Sequence, residues 1–294
     1  MKKIILICLL ITLPFATINA ASNLTKSTVK LNSGYEMPCI GLGTWTLSNQ
    51  IAEEAVYFAL KNGYRLIDTA RYYGNEKGVG RAVRRAIVDG IAQREEIFIT
   101  SKILPSRKPD SEIDASLASL GLDYVDLMLI HQPGDNDEES YKALERAVRS
   151  GKIRSIGVSN YYTPEDFERI NKIAQITPAV VQNENHIYYQ NEDLQNYLKG
   201  RYGTVVESWY PFGGRHNIKE VFENTTIKKI AASYNKTPAQ VILRWQIQAG
   251  YVAIPGSKNP EHIKENIDVF NFVLTDTDMK KIREINEGRR FEVW

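Results

Sequence analysis

Apolar residues in this chain fall into short β-branched runs, separated by stretches where they recur every three or four positions. The runs are CIGLGTW, YRLIDTA, IFITSKI, VDLMLIH, IRSIGVSN, AVVQNEN, TVVESWYP and YVAIPGS. Runs of this length, bounded by turn residues, read as buried strands. Between them lie IAEEAVYFALKNG, VGRAVRRAIVDG, SEIDASLASLG, ESYKALERAVRSG, TPEDFERINKIA, NEDLQNYLKGR and TPAQVILRWQIQAG, with NPEHIKENI after the eighth run. These read as amphipathic helices, and several open after Ser, Asn or Thr and stop at Gly, the expected capping chemistry. Eight strand–helix repeats within one domain's length predict an α/β chain folded as a (β/α)8 barrel. A hairpin (TVKLNSGYEMPCIG) precedes it, and an extra helix (TDTDMKKIREIN) and a tail follow. A doubly wound sheet fits less well: GLGTW is not GxGxxG, and GVGRAV lies within a helix.

The first twenty residues break the pattern. MKK precedes IILICLLITLPFATI and then NAAS, the order of a secretory signal peptide. Pro14 and the short apolar length argue against a membrane span. We expect cleavage after Ala20, although Ile18 is not small, and a single domain over residues 21–294. The protein would then be exported, or cytoplasmic if the leader is not processed. Removing residues 1–20 takes away Lys2 and Lys3 and no acid, so the formal charge of +2 becomes 0. A neutral chain gives no electrostatic reason to expect nucleic acid or a membrane surface as partner. The two cysteines form no disulfide framework or metal motif, so no metal is expected and Cys39 reads as a small core residue.

Candidate chemistry lies at the strand ends, where barrels of this class gather functional groups. Asp68 and Tyr73 follow the second run, Lys102 the third and His131 the fourth. Ser159 and Asn160, then Gln182, end the fifth and sixth; Trp209 ends the seventh, and GSKN follows the eighth. An acid, a phenol, an amine and an imidazole facing one cavity suit proton delivery to a carbonyl. Tyr73 would be the general acid, its pKa lowered by a Lys102 ammonium that Asp68 holds in place, while His131 orients the carbonyl oxygen. None of these groups can supply a hydride, so a nicotinamide cofactor must. Taken singly, Asp68 could be a helix cap, Lys102 a surface lysine, His131 a loop cap and Trp209 a core residue.

The segments GLGTW, IDTARYYGNE, TSK, LIHQP, GVSN, VVQNE, SWYPFG and IPGSKNPEHIKEN resemble, in order, the signature segments of the aldo-keto reductases. The resemblance implies a catalytic tetrad of Asp68, Tyr73, Lys102 and His131. It further implies an NADPH site, with NADH possible, formed by Thr44, Asp68, Ser159, Asn160, Gln182, Trp209, Pro211, Phe212, Ser257, Lys258, Asn259, His262, Glu265 and Asn266. Ser159, Asn160 and Gln182 would hold the carboxamide, and Trp209 would stack on the nicotinamide. A small carbonyl substrate would meet Trp45, Tyr72, His131, Gln132 and Trp294, with the LPSRKPDSE, GGRHN and RRFEVW segments shaping the pocket of a monomer.

The chain departs from the commonest family pattern at several points. Val181 stands where an asparagine usually precedes the glutamine, and Gln132 where a pocket tryptophan is common. Gly256 and His262 replace the Lys and Arg that many members place around the cofactor phosphate, which leaves the choice between NADPH and NADH open. A nucleotide-binding module with incidental turnover and an exported barrel with a vestigial site are the competing readings.

Overall fold

The computed structural model describes residues 28–292. The leader, its cleavage point and Trp294 lie outside the described residues. An antiparallel hairpin, β1 (Thr28–Lys30) with β2 (Glu36–Pro38), precedes a parallel sheet of eight strands. These are β3 (Leu42–Gly43), β4 (Leu66–Asp68), β5 (Phe98–Ile103), β6 (Val125–Ile130), β7 (Ile153–Ser159), β8 (Val180–Glu184), β9 (Val205–Trp209) and β10 (Val252–Ala253), each paired with its neighbours in chain order. Parallel bridges from Ile40 to Ala253 and from Gly43 to Gly256 bring the first strand beside the last and close the barrel.

The helices α1 (Asn49–Lys61), α2 (Glu76–Val88), α3 (Pro109–Leu120), α4 (Asp137–Arg149), α5 (Pro164–Asn171), α6 (Glu192–Tyr202), α9 (Pro238–Ala249) and α10 (Pro260–Ile267) occupy the eight stretches read as helical, and α11 (Asp276–Arg283) is the expected extra helix. Their ends follow the anticipated chemistry. Ser48, Thr163, Thr237, Asn259 and Thr275 accept hydrogen bonds from first-turn amides, and Gly121, Gly203 and Gly250 close helices in the left-handed region.

Two helices escaped the pattern. α7 (Gly214–Glu223) and α8 (Thr225–Tyr234) lie between β9 and α9. The GGRHN segment, expected as a pocket loop, opens α7, and Ile218 on that helix is 38% exposed. Only Val221 of α7 is fully buried, so its apolar periodicity is faint. α8 carried a readable signal: Asn224 caps the amides of Thr226 and Ile227 at 3.0 and 3.2 Å.

Side-chain alternation along the strands divides the core. Ile67, Ile99, Ile103, Met128, Val158 and Val181 pack outward into the helix layer. Leu66, Phe98, Leu127, Leu129, Val180, Val205 and Val252 pack in a second cluster inside the barrel, with Leu31 and Met37 of the hairpin region. Continuing the inward parity from these apolar residues toward the strands' C-terminal ends gives Asp68, Lys102, His131, Gln182, and Glu207 with Trp209. The barrel is therefore oily at the hairpin end and polar at the other.

Candidate active site

Two buried groups, Asp68 and Lys102, and the half-buried Tyr73 form a chain at the polar end. Lys102 Nζ, fully buried, donates to Asp68 Oδ1 at 2.6 Å, to the Thr69 carbonyl at 3.0 Å and to Tyr73 Oη at 3.1 Å. An ammonium has three donors, and all three are used. Because Tyr73 Oη accepts from Lys102, its own proton is free to point elsewhere. Tyr73 belongs to a single 3-10 turn (Arg71–Tyr73) that ends at Gly74 in the left-handed region (φ 68°), and this turn folds the phenol back over the barrel. Asp68 is completed by Gln182 Nε2, which donates to Oδ2 at 2.9 Å. Thr44 holds the Asp68 backbone through its hydroxyl, 2.9 Å from the carbonyl.

A cleft of about 740 Å³ opens above this floor. Asp68, Tyr72, Tyr73, Trp45, His131, Gln132, Ser159, Asn160, Gln182, Trp209, Pro211, Phe212, Ser257 and Lys258 all line it. Trp45 lies against both tyrosines, with ring centroids 6.0 Å from Tyr72 and 4.7 Å from Tyr73. His131 meets the Tyr73 ring edge-on at 5.5 Å. Trp209 lies at the cleft, its Nε1 without a hydrogen-bond partner among the described residues and its ring edge-on to Tyr210 at 4.8 Å. Asn160 adopts φ 67° and donates to the His131 carbonyl at 2.9 Å, tying the ends of β6 and β7 together.

The remaining expected cofactor residues stand outside this lining. Thr44 is buried. Asn259 caps α10 through the Glu261 amide at 3.0 Å, and Glu265 accepts from the Thr237 hydroxyl at 2.7 Å. Asn266 is buried and His262 exposed on the same helix. Conversely, reading the strand ends passed over Arg215, Tyr210 and Glu207. Arg215 lines the cleft and donates to the Thr46 hydroxyl across it. Tyr210 lines the cleft and hydrogen-bonds Trp45. Glu207 shares the parity of Trp209 two residues on, and that signal was available.

Electrostatics correct one expectation. The Tyr73 pKa is pushed up to about 12, not lowered, because burial outweighs the opposing pull of the Lys102 ammonium. Burial also works against the Lys102 charge, but Asp68 and the phenol oxygen overcome it and hold the ammonium above the usual lysine range. Burial raises Asp68, opposed by Lys102 and Gln182. Burial and the Lys102 charge together lower His131 to about 3, so its imidazole is neutral near pH 7. The floor thus offers a protonated phenol and a neutral imidazole side by side. Among the described residues no His, Cys, Asp and Glu cluster could hold a metal ion.

A closed eight-stranded parallel barrel, with a lysine–carboxylate–tyrosine chain beneath a cleft at its strand ends, defines a class of barrel enzyme. The model of the aldo/keto reductase family matches residues 39–287. The chain belongs to that family. It is 43% identical to the glyoxal reductase of Bacillus subtilis, an alignment covering 90% of this chain and 95% of that protein. It is 40% identical to the NAD(P)H-dependent D-xylose reductase of Candida tenuis, covering 90% and 94% respectively. A solved structure of an aldo-keto reductase from a Medee basin deep-sea metagenome superposes with a TM-score of 0.84 at 40% identity, covering 90% of this chain and 97% of that one.

Proposed function

We propose that the protein reduces small aldehydes and ketones to alcohols with a reduced nicotinamide dinucleotide, NADPH with NADH as an alternative. The observation that carries this is the chain from Asp68 through Lys102 to Tyr73, which leaves the phenol proton as a donor at the cleft. When bound, the cofactor supplies the hydride. Tyr73 gives the carbonyl oxygen its proton, and the Lys102 ammonium stabilises the phenolate left behind. His131, neutral, hydrogen-bonds the same oxygen and orients it. Trp45 and Tyr72 wall the substrate end, and the polar Gln132 suits polar substrates.

The residues present fit such a cofactor. Among the described residues the hydrogen bonds of the Gln182 amide go through Nε2, Ser159 and Asn160 adjoin it, Trp209 offers an aromatic surface, and Lys258 and Arg215 bring positive charge to the lining. Relatives named as xylose and glyoxal reductases support small polar aldehydes as the substrate class. The test is a substrate panel with NADPH and with NADH, following loss of the reduced cofactor. Turnover of glyoxal or an aldose supports the reading; cofactor binding without turnover of any carbonyl favours a nucleotide-binding module instead.

The preference for NADPH is proposed to be modest, since exposed His262 stands where a permanent charge would meet the 2′-phosphate. His262→Arg should tighten NADPH binding and leave NADH unchanged, as read by the two Kd values. An equal effect on both cofactors would remove His262 from that role. Residues 1–20 are proposed as an export leader, tested by N-terminal sequencing of the mature protein.

A further inference from the structure

One buried acid takes no part in proton delivery. Glu207 lies in β9, fully buried, two residues before Trp209. Its Oε2 accepts from Gln182 Nε2 at 2.7 Å, and its Oε1 has no partner among the described residues. The same Gln182 nitrogen donates to Asp68 Oδ2 at 2.9 Å. An amide nitrogen has two N–H donors and accepts nothing. Both donors are spent, one on each carboxyl group, and Asp68, already paired with Lys102, can only accept. The amide is therefore pinned from two sides with its nitrogen turned into the barrel. Its oxygen must face the other way, and Gln182 lines the cleft.

We propose that Glu207 is a positioning residue that, with Asp68, locks the Gln182 amide so that its carbonyl accepts a hydrogen bond from the nicotinamide carboxamide NH₂. This rests on the reductase reading above. With an apolar residue at 207, one Gln182 N–H would be left bare in a dry interior, which is costly. The amide would then rotate to recover a partner and lose its fixed presentation. The charges facing Glu207 from neighbouring elements suit the arrangement. Asp68 and Lys102 form one ion pair, Tyr73 is neutral, and burial together with the Asp68 charge pushes Glu207 up to about 8. Near pH 7 the acid sits there largely neutral, accepting the amide N–H without adding a second uncompensated charge.

The test compares NADP⁺ with its 3-acetylpyridine analogue, in which a methyl replaces the carboxamide NH₂. Wild type should bind NADP⁺ more tightly, by roughly fivefold for one net hydrogen bond. Glu207→Leu should bring that ratio close to one, whereas Glu207→Gln, which still offers a carbonyl to Gln182, should keep it. Glu207→Thr, too short to reach Gln182, replaces the leucine variant if circular dichroism shows the latter misfolded. Gln182→Leu serves as the control. If it abolishes the discrimination and Glu207→Leu does not, Glu207 has no positioning role although Gln182 still holds the carboxamide. If neither substitution changes the ratio, Gln182 does not hold the carboxamide and both readings fall. Loss of discrimination in the leucine and glutamine variants alike would also overturn the proposal, because the conservative exchange would not have rescued it.

Discussion

Lys102 shows how much one side chain is asked to do. Among the described residues it is the only cation within hydrogen-bond reach of Asp68, and its other two donors hold the Thr69 carbonyl and the Tyr73 phenol. Lys102→Met should remove turnover and also leave Asp68 buried without its partner, at about 3–5 kcal/mol by analogy with other broken buried pairs. Denaturant titration of the variant checks this, and an unchanged midpoint would mean that the pair is not buried as described. Glu207 makes a separate prediction about pH. Its folded pKa, near 8, lies above the value of an exposed glutamate, about 4.3. Between those values the unfolded chain releases a proton that the folded chain keeps, so stability from this group falls as pH rises and levels off above about 8. Glu207→Gln lacks that loss. Its melting temperature relative to wild type should climb between pH 5 and pH 8, and a constant difference would show that Glu207 titrates normally in the fold.

Among the elements, the strands and most helices were legible because their burial is one-sided or complete, and both leave strong periodic signals. β5 is buried along all six residues and β6 likewise, so each reads as a continuous apolar run interrupted by functional side chains. α7 was not legible, since it rests at the cleft edge with one buried residue. Contact between elements is also hidden from a single sequence. Gly80, inside α2, has no helical reason to be glycine, and helix propensity alone favours alanine there by about 1 kcal/mol. A Cβ at Gly80 would lie 1.8 Å from the Leu120 carbonyl at the end of α3. The clash is with backbone, so it should outweigh the propensity gain. Gly80→Ala should lower the melting temperature by several degrees, and a rise would mean that α2 and α3 can separate at little cost.

At the scale of the molecule, the barrel sorts its residues by strand parity and by height. Apolar inward positions fill the hairpin end, and the same columns end in Asp68, Lys102, His131, Gln182 and Glu207 below the cleft. The tetrad candidates could be picked out because Asp68, Lys102 and His131 lie at the ends of recognisable runs and Tyr73 follows Asp68 in the turn beyond. Glu207, Tyr210 and Arg215 were not picked out: the first sits mid-strand, marked only by its parity with Trp209, and the other two act through a turn and helix whose path the pattern did not give. The direction of the Tyr73 shift was also missed, because sequence spacing shows the neighbouring lysine but not the depth of burial. The phenol is protonated at neutral pH with or without that shift, and proton donation from it is the centre of this account. The direct measurement is kcat of Tyr73→Phe with a small aldehyde at saturating NADPH, alongside the Kd for NADPH. The account predicts a fall of about 10²–10⁴-fold in kcat with Kd nearly unchanged. A kcat within tenfold of wild type would contradict it.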